Sequence, residues 1–334
     1  MAKTFDLKII DQDIMYNVII IGGGCAGMTA AIYSGRAELK PLVFVGDNAN
    51  RGGLLSKTSL VENYPGFPVG INGFDLVDNM ERQAIACGAE MKEAKIVSVA
   101  NVDQKTFELT DDNGEKYLTK SVIIATGSYP NKLGLPNEDN LWGKGISSCA
   151  VCDGVLYKRK TIVVLGGGDT AMEHALFLTK FSAVTLIYRQ NKHKFRASKL
   201  MQTRVMEHPK INIIYDTVVT ELHGQTVLTG ITTQNVLTGE TTYLQVDGLF
   251  YGLGLNPNTQ IFNIEKNSGG YISIQGVDEY STMTSVPGMF VAGDAHDDVY
   301  RQAVIAAGDG CRAAMDVHKY LEHRMIDVEV SDNL

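Results

Sequence analysis

The chain of 334 residues contains no apolar run near the roughly 20 residues that a membrane span requires. Its first fifteen residues also lack the apolar core of an export signal, and Asp6, Asp11 and Asp13 argue against an acid-poor transit peptide. We read that stretch as a short extension before the first strand. A soluble, cytoplasmic protein without a membrane partner is therefore expected, and 44% hydrophobic with 20% charged residues suits one. Five cysteines in a reducing compartment do not make a disulfide framework. Basic residues do not dominate either: the net charge is −8, and no basic-aromatic stripe is present, so nucleic acid is not an expected partner. Small anionic ligands remain open, because they need only local positive charge.

Against these absences stands Cys149-Ala150-Val151-Cys152-Asp153-Gly154. Cysteines at i and i+3 can approach closely enough for a reducible disulfide. Structural zinc would need two further ligands, and Cys25, Cys87 and Cys311 are isolated, so no metal site is expected. Two inert thiols behaving as small hydrophobes are the other alternative. Neighbouring sequence has to decide between inert and cycling sulfurs.

That sequence repeats one pattern. Residues 16–21 form an apolar run suited to a buried strand, which opens into Gly22-Gly23-Gly24-Cys25-Ala26-Gly27 and then helical spacing over 28–37. Strand, glycine turn and helix are the context a GxGxxG dinucleotide fingerprint requires: Gly22 for the turn, Gly24 for close approach of a pyrophosphate, Gly27 for helix–strand packing. The free N–H groups of the helix end would face the phosphates. A second strand over 41–45 ends at Gly46-Asp47, where Asp47 suits either a ribose hydroxyl or an ordinary turn. An antiparallel meander is expected over 95–117, with its turn at Asp112-Asn113-Gly114, and a buried strand over 121–125.

The second copy has a strand over 161–165, then Gly166-Gly167-Gly168-Asp169-Thr170-Ala171, a helix over about 172–180 and a strand over 183–187. Hairpins are expected over 211–245 and a closing strand over 247–251. Two such turns in matching contexts point to two dinucleotide sites. The fold expected is α/β, with two Rossmann-like three-layer domains, the second inserted into the first. After the second repeat's 183–187 strand no acid appears; Arg189, Lys192, His193, Lys194 and Arg196 do, which favours a 2′-phosphate and hence NADPH, unless they are simply a solvated loop. A last strand runs into Gly293-Asp294, followed by a helix through about residue 321 in which Gly308 and Gly310 let something pack closely.

With these segments assembled, the chain resembles the low-molecular-weight thioredoxin reductases from about residue 16 to 321. The order carries the resemblance: GGGCAG, VENYPG at 61–66, ATG at 125–127, CAVCDG at 149–154, GGGDTA at 166–171, FRAS at 195–198 and YRQA at 300–303. The resemblance implies a homodimer through an FAD domain, about 1–128 and 257–334, with an NADPH domain over 129–256 that carries the redox pair. It implies FAD contacts at Gly22, Gly24, Cys25, Ala26, Gly27, Asp47, Gly52, Gly53, Leu54, Asn63, Ala125 and Gly127. Further contacts would come from Gly293, Asp294, Arg301, Gln302 and Ala303. NADPH would meet Gly166, Gly168, Asp169, Thr170, Ala171, Arg189, Gln190 and Arg196. Cys149 and Cys152 would be the redox pair and Asp153 the acid/base; Cys152 would face the flavin and attack the partner, although the residues themselves leave the two sulfur roles open.

The resemblance further implies thioredoxin as partner and a rotation of one domain against the other between half-reactions, absorbed at the crossings 127–130 and 252–257. Three departures bear on it. Gln190 stands where relatives carry a second arginine, in a loop two residues longer; Leu54 replaces a common glutamine; Val155 and Leu156 replace two aromatics. The alternatives are a hydroperoxide-reductase-type flavoprotein, whose extra N-terminal region the fifteen leading residues leave no room for, and a non-catalytic flavin-binding redox sensor, which would not need both cysteines and the arginines.

Overall fold

In the computed structural model, residues 14–47, 51–58, 60–103, 106–276 and 279–332 are described, with side chains to Arg324. The extension expected before residue 16 lies, up to residue 13, outside them. Backbone proximity groups the chain into two units, one of residues 1–55, 76–127 and 257–334, the other of residues 56–75 and 128–256.

The first unit is built on a five-stranded parallel sheet in the spatial order Met289–Val291, Val122–Ile124, Ile19–Ile21, Leu42–Phe44, Glu90–Lys92. The three central strands are wholly buried triplets of β-branched and large apolar residues, as a sheet covered on both faces demands. Ile19, Ile21, Leu42 and Phe44 turn one way and pack with Ile96, Phe107 and Leu109 of an antiparallel meander, Ile96–Asn101, Phe107–Asp111 and Lys116–Thr119. Burying each such side chain contributes about 1.5–3 kcal/mol. The helices Cys25–Arg36 and Ala303–Asp332 pack against each other.

The second unit repeats the plan. Its parallel sheet has the order Ile146–Ser147, Gly248–Tyr251, Ile162–Leu165, Val184–Ile187, Ile211–Ile214. Alternation sorts its faces. Ile162, Val164, Leu186 and Phe250 meet Met172, Ala175 and Leu178 of the helix Asp169–Leu178, while Val163, Leu165, Ile187 and Leu249 meet Val219, Leu228 and Ile231 under a three-stranded antiparallel sheet. Each unit thus has the three-layer, Rossmann-like plan.

In both sheets the strand before the glycine turn has its sequence successor on one side and a later strand, Val122–Ile124 or Gly248–Tyr251, on the other. That reversal opens a crevice at the strands' carboxyl ends, directly over the glycine turn. The sheets differ in their outermost strand: Met289–Val291 comes last in the first unit, Ile146–Ser147 comes first in the second.

Four elements depart from expectation. The run over 16–21 bends at Asn17, so Met15–Tyr16 pairs with the meander and only Ile19–Ile21 enters the parallel sheet. A continuous apolar run carries no mark of a change of sheet. Residues 211–214 are a parallel edge strand beside Val184–Ile187, not part of a hairpin; the hairpins begin at Thr217. In the last helix Gly310 lies against the opening helix, where a Cβ would come 2.1 Å from the Ala26 carbonyl oxygen, whereas a Cβ at Gly308 would meet nothing within 4 Å. That helix also continues to Asp332, since nothing after residue 321 breaks it. The crossings between the units pair as a two-stranded ribbon, Ser128–Pro130 with Leu255–Pro257. No described helix is long and apolar enough to cross a membrane.

Candidate functional site

Cys149 and Cys152 are joined by a disulfide with Cα atoms 5.3 Å apart. The extended conformation of Cys149 places it as the N-cap of the short helix Ala150–Asp153, and its Sγ accepts from the Cys152 backbone N–H at 3.2 Å. A cap made by a sulfur ties the bond to the first turn. Val151 and Val155 beside it are 56% and 44% exposed, so the bond sits among apolar surface.

Asp153 follows at once. Its Oδ2 accepts a 2.6 Å hydrogen bond from the hydroxyl of Ser147, which in turn accepts from the Cys149 N–H at 2.9 Å. Its Oδ1 is buried and has no hydrogen-bond partner among the described residues. Burial pushes the carboxyl above the usual aspartate range, and the Ser147 hydrogen bond pulls the other way without reversing the shift. Burial, with the Asp153 charge adding, also lifts the Tyr157 hydroxyl to about 12, so that neighbour stays protonated at neutral pH. A carboxyl with one unpartnered oxygen and a raised pKa, next in sequence to Cys152 and at the end of the same short helix, is suited to moving thiol protons. Ser147, which links it to Cys149, is absent from the residues the sequence singled out; a serine two positions before a CxxC has no spacing signature of its own.

Further along the same unit, Gly166 makes the tight turn at φ +134°, and a Cβ there would lie 2.4 Å from the Gly252 carbonyl oxygen. Gly168 differs: a Cβ there would meet nothing within 4 Å, although Gly168 is the N-cap of the helix Asp169–Leu178 and makes no side-chain cap bond. Open space at an uncapped helix N-terminus fits a pyrophosphate. Asp169 accepts from the backbone N–H and hydroxyl of Ser198, both at 2.9 Å, while the Arg196 and Ala197 N–H groups bind the Gly167 carbonyl. Thr170 and Ala171 complete the turn, and Ala171 packs against Gly252. The basic loop is thereby pinned to the glycine turn.

Within that loop Arg189, Lys192, His193, Lys194 and Arg196 are exposed, and none forms an ion pair among the described residues. The Tyr188 ring stacks on Phe195 at 4.5 Å, and its hydroxyl donates to the Lys194 carbonyl at 2.6 Å with Gln190 Oε1 3.1 Å away. Five unneutralised cationic or ionisable side chains beside the turn fit a 2′-phosphate.

The first unit brings its own set together. A Cβ at Gly27 would come 1.8 Å from the Gly22 carbonyl oxygen, so helix and strand meet backbone to backbone there, and Gly22 packs on the Ala125 carbonyl. At Gly24 the first atom a Cβ would meet is the Gly52 carbonyl oxygen, 3.9 Å off, and the helix Cys25–Arg36 starts without a side-chain cap. This turn is as open as its counterpart. Cys25 is buried, its Sγ 3.2 Å from the Ala303 carbonyl; Gly293 abuts Ala26.

Asp297 accepts from the N–H groups of Val299, Tyr300 and Arg301 and holds Arg301 at φ +51°, with its guanidinium 5.7 Å from the Tyr271 ring centre. The Arg301 Nε is buried without a hydrogen-bond partner among the described residues. Such an orphaned donor beside an open glycine turn fits a large anionic cofactor in this unit. Gln302 bonds the Tyr300 carbonyl, Asp294 lies in the short turn after Gly293, and Gly53, Leu54 and Gly127 lie in this unit as well. Asp47 ends the Leu42–Phe44 strand in an ion pair with Lys95. Asn63 groups instead with the second unit, on the rim of an open hollow of about 500 Å3 lined by residues 62–68.

The chain matches the model of the pyridine nucleotide-disulphide oxidoreductase family over residues 16–310. It is 45% identical to the thioredoxin reductase of Dictyostelium discoideum, with 91% of this chain and 97% of that protein aligned. With thioredoxin reductase 1 of Saccharomyces cerevisiae the identity is 42% over the same shares. Among solved structures, thioredoxin reductase from Giardia duodenalis superimposes with a TM-score of 0.84 at 38% identity, covering 92% of this chain and 99% of that one. The chain belongs to the pyridine nucleotide-disulphide oxidoreductase family, in its low-molecular-weight thioredoxin reductase branch.

Proposed function

We propose that this protein reduces the disulfide of a thioredoxin at the expense of NADPH, through FAD in the first unit and the Cys149–Cys152 bond in the second. The observation that carries this reading is the reducible cysteine pair with the raised, half-satisfied Asp153 carboxyl beside it. The glycine turn at 22–27, Ala125, Arg301 and the 293–303 segment would hold FAD; the turn at 166–171 with Arg189 and Arg196 would hold NADPH. The bound flavin would supply the two-electron relay from the nicotinamide to the disulfide.

The rest is done by the chain's own groups. Two electrons and two protons open the Cys149–Cys152 bond to two thiols. One of them, as a thiolate, attacks the partner's disulfide, giving a mixed disulfide and a partner thiolate that takes up a proton. The second thiolate then displaces the other partner sulfur, remaking the Cys149–Cys152 bond and leaving the partner as a dithiol. Asp153 takes the proton from the second thiol and returns it to the departing sulfur. Exposed Val151 and Val155, with Lys158, Arg159 and Lys160 close by in sequence, suit a partner that is apolar around its own disulfide and acidic at the rim.

Because disulfide and nicotinamide must take turns at one flavin, the reading includes a rotation of one unit against the other about the paired crossings. It also includes a homodimer through the first unit, supported by Tyr33, Val304, Ile305 and Met315, which stay 43%, 43%, 37% and 60% exposed on the two packed helices. The test is NADPH oxidation with added thioredoxin. Wild type turns over with thioredoxin and prefers NADPH to NADH in kcat/KM, while Cys149→Ser and Cys152→Ser each abolish thioredoxin reduction. Turnover that survives either substitution, or depends on no thioredoxin, defeats the proposal.

A further inference from the structure

The carboxylate of Asp309 is 1% exposed, in the second turn of the helix Ala303–Asp332. A buried carboxylate is costly unless its oxygens are occupied, and here they are. Oδ2 accepts from His296 Nε2 at 2.9 Å and from the Gly293 N–H at 3.3 Å, and Oδ1 takes the guanidinium of Arg312. Two of the three donors come from one short stretch, the turn that follows the Met289–Val291 strand. The His296 and Asp297 N–H groups bond back to the Gly293 carbonyl at 3.0 Å each, so the imidazole and the Gly293 N–H are parts of one closed turn.

The place of this pair gives it a role. A Cβ at Gly293 would stand 3.0 Å from Ala26 Cβ and 3.2 Å from Ala306 Cβ, and a Cβ at Gly310, next to Asp309, would stand 2.1 Å from the Ala26 carbonyl oxygen. Three chain segments therefore converge at the uncapped start of the helix Cys25–Arg36: its own first turn, the Gly293 turn, and the C-terminal helix. Packing fixes how near they come, but glycine and alanine contacts have no direction. The Asp309 carboxylate supplies it, because a charge-assisted hydrogen bond fixes angle as well as distance.

We propose that His296 and Asp309 are positioning residues for the flavin, resting on the reading that FAD binds in the first unit. The pair orients the Gly293-Asp294 turn relative to the helix that Ala303 begins just after Gln302, two residues that would close the same site. Their part is to hold the Gly293 backbone that would meet the cofactor. Asp297 does a complementary task within the loop, and Arg312, 54% exposed, neutralises the carboxylate from outside without touching the turn.

The test uses the full-length holoprotein, with FAD release followed by the rise in flavin fluorescence on dilution and fold stability followed separately by urea unfolding. His296→Ala releases FAD about tenfold faster than wild type, the size of one lost charge-assisted hydrogen bond. His296→Gln, whose amide nitrogen can still donate to Asp309, stays within about threefold of wild type on the same scale. Asp309→Asn behaves as His296→Ala does, and Arg312→Gln as wild type. Equal release from His296→Ala and wild type overturns the inference. So does release from His296→Gln as fast as from His296→Ala, or an equal effect of Arg312→Gln, since either reduces the pair to filler. A wild-type chain that binds no FAD fails the cofactor reading itself, a distinguishable result.

Discussion

Asp153 carries two opposed influences, and their balance can be measured. Burial raises its pKa and Ser147 lowers it, so removing the hydroxyl lets burial act alone. In Ser147→Ala the acid limb of kcat/KM for thioredoxin moves to higher pH, and Ser147→Thr restores it; a limb that stays in place detaches Ser147 from the chemistry. Asp153→Asn lowers turnover about 100-fold, the lower end of general acid–base contributions, with FAD still bound. Stability moves the other way. A carboxyl whose folded pKa lies above its unfolded one favours folding least when ionised, so its destabilising charge is fully present once pH exceeds the raised value. Asp153→Asn should therefore unfold at higher urea than wild type at neutral pH, and at no higher urea below the ordinary aspartate range. Cys149, Cys152 and Asp153 were legible because they are adjacent in sequence. Ser147 was not, since only the extended backbone at Cys149 brings its hydroxyl to Asp153. His296 and Asp309 were invisible for a stronger reason: thirteen residues and a helix start separate them, and only packing makes them a pair.

At the scale of elements, the two glycine turns separate close-packed glycines from ones that face open space. Gly27 and Gly166 have backbone oxygens where a Cβ would go, whereas Gly24 and Gly168 face open space. Gly168 has φ −98° and ψ 177°, backbone that alanine adopts freely. Gly168→Ala should thus unfold at the same urea concentration as wild type and yet raise KM for NADPH about tenfold, a cost of about 1.4 kcal/mol, with kcat little changed. An unchanged KM would mean that nothing approaches this turn closely. Strand–turn–helix order made these turns readable, because each requirement is local. The element misread was Ile211–Ile214: short and apolar-rich, it has the same appearance as a hairpin strand, and only pairing with Val184–Ile187 makes it parallel. Likewise the bend at Asn17 is set by two competing sheets, Lys120 N–H bonding the Tyr16 carbonyl on one side and Ile19 N–H bonding the Ser121 carbonyl on the other.

On the scale of the whole molecule, one five-stranded plan is used twice, with its outermost strand drawn from opposite ends of the two units. This is what insertion of one unit into the other produces: the first must finish after the second has closed, so its last strand, Met289–Val291, arrives from beyond residue 257. The repeat was visible in sequence through the glycine turns, while the swap of edge strands was not, since a two-residue strand such as Ile146–Ser147 carries no periodicity. The same arrangement places the cysteine pair directly after that edge strand, on the unit with the basic loop and not on the unit with the orphaned Arg301 donor. On the proposed reading, electrons that enter as NADPH must leave the second unit for the flavin and return to it. The most direct measurement of that claim is alkylation of thiols, read by peptide mass, before and after anaerobic addition of NADPH to the full-length protein. The account predicts that Cys149 and Cys152 are unlabelled at first, both labelled after NADPH, and unlabelled again once oxidised thioredoxin is added. Thioredoxin reduced by NADPH while Cys149 and Cys152 remain unlabelled throughout would contradict it.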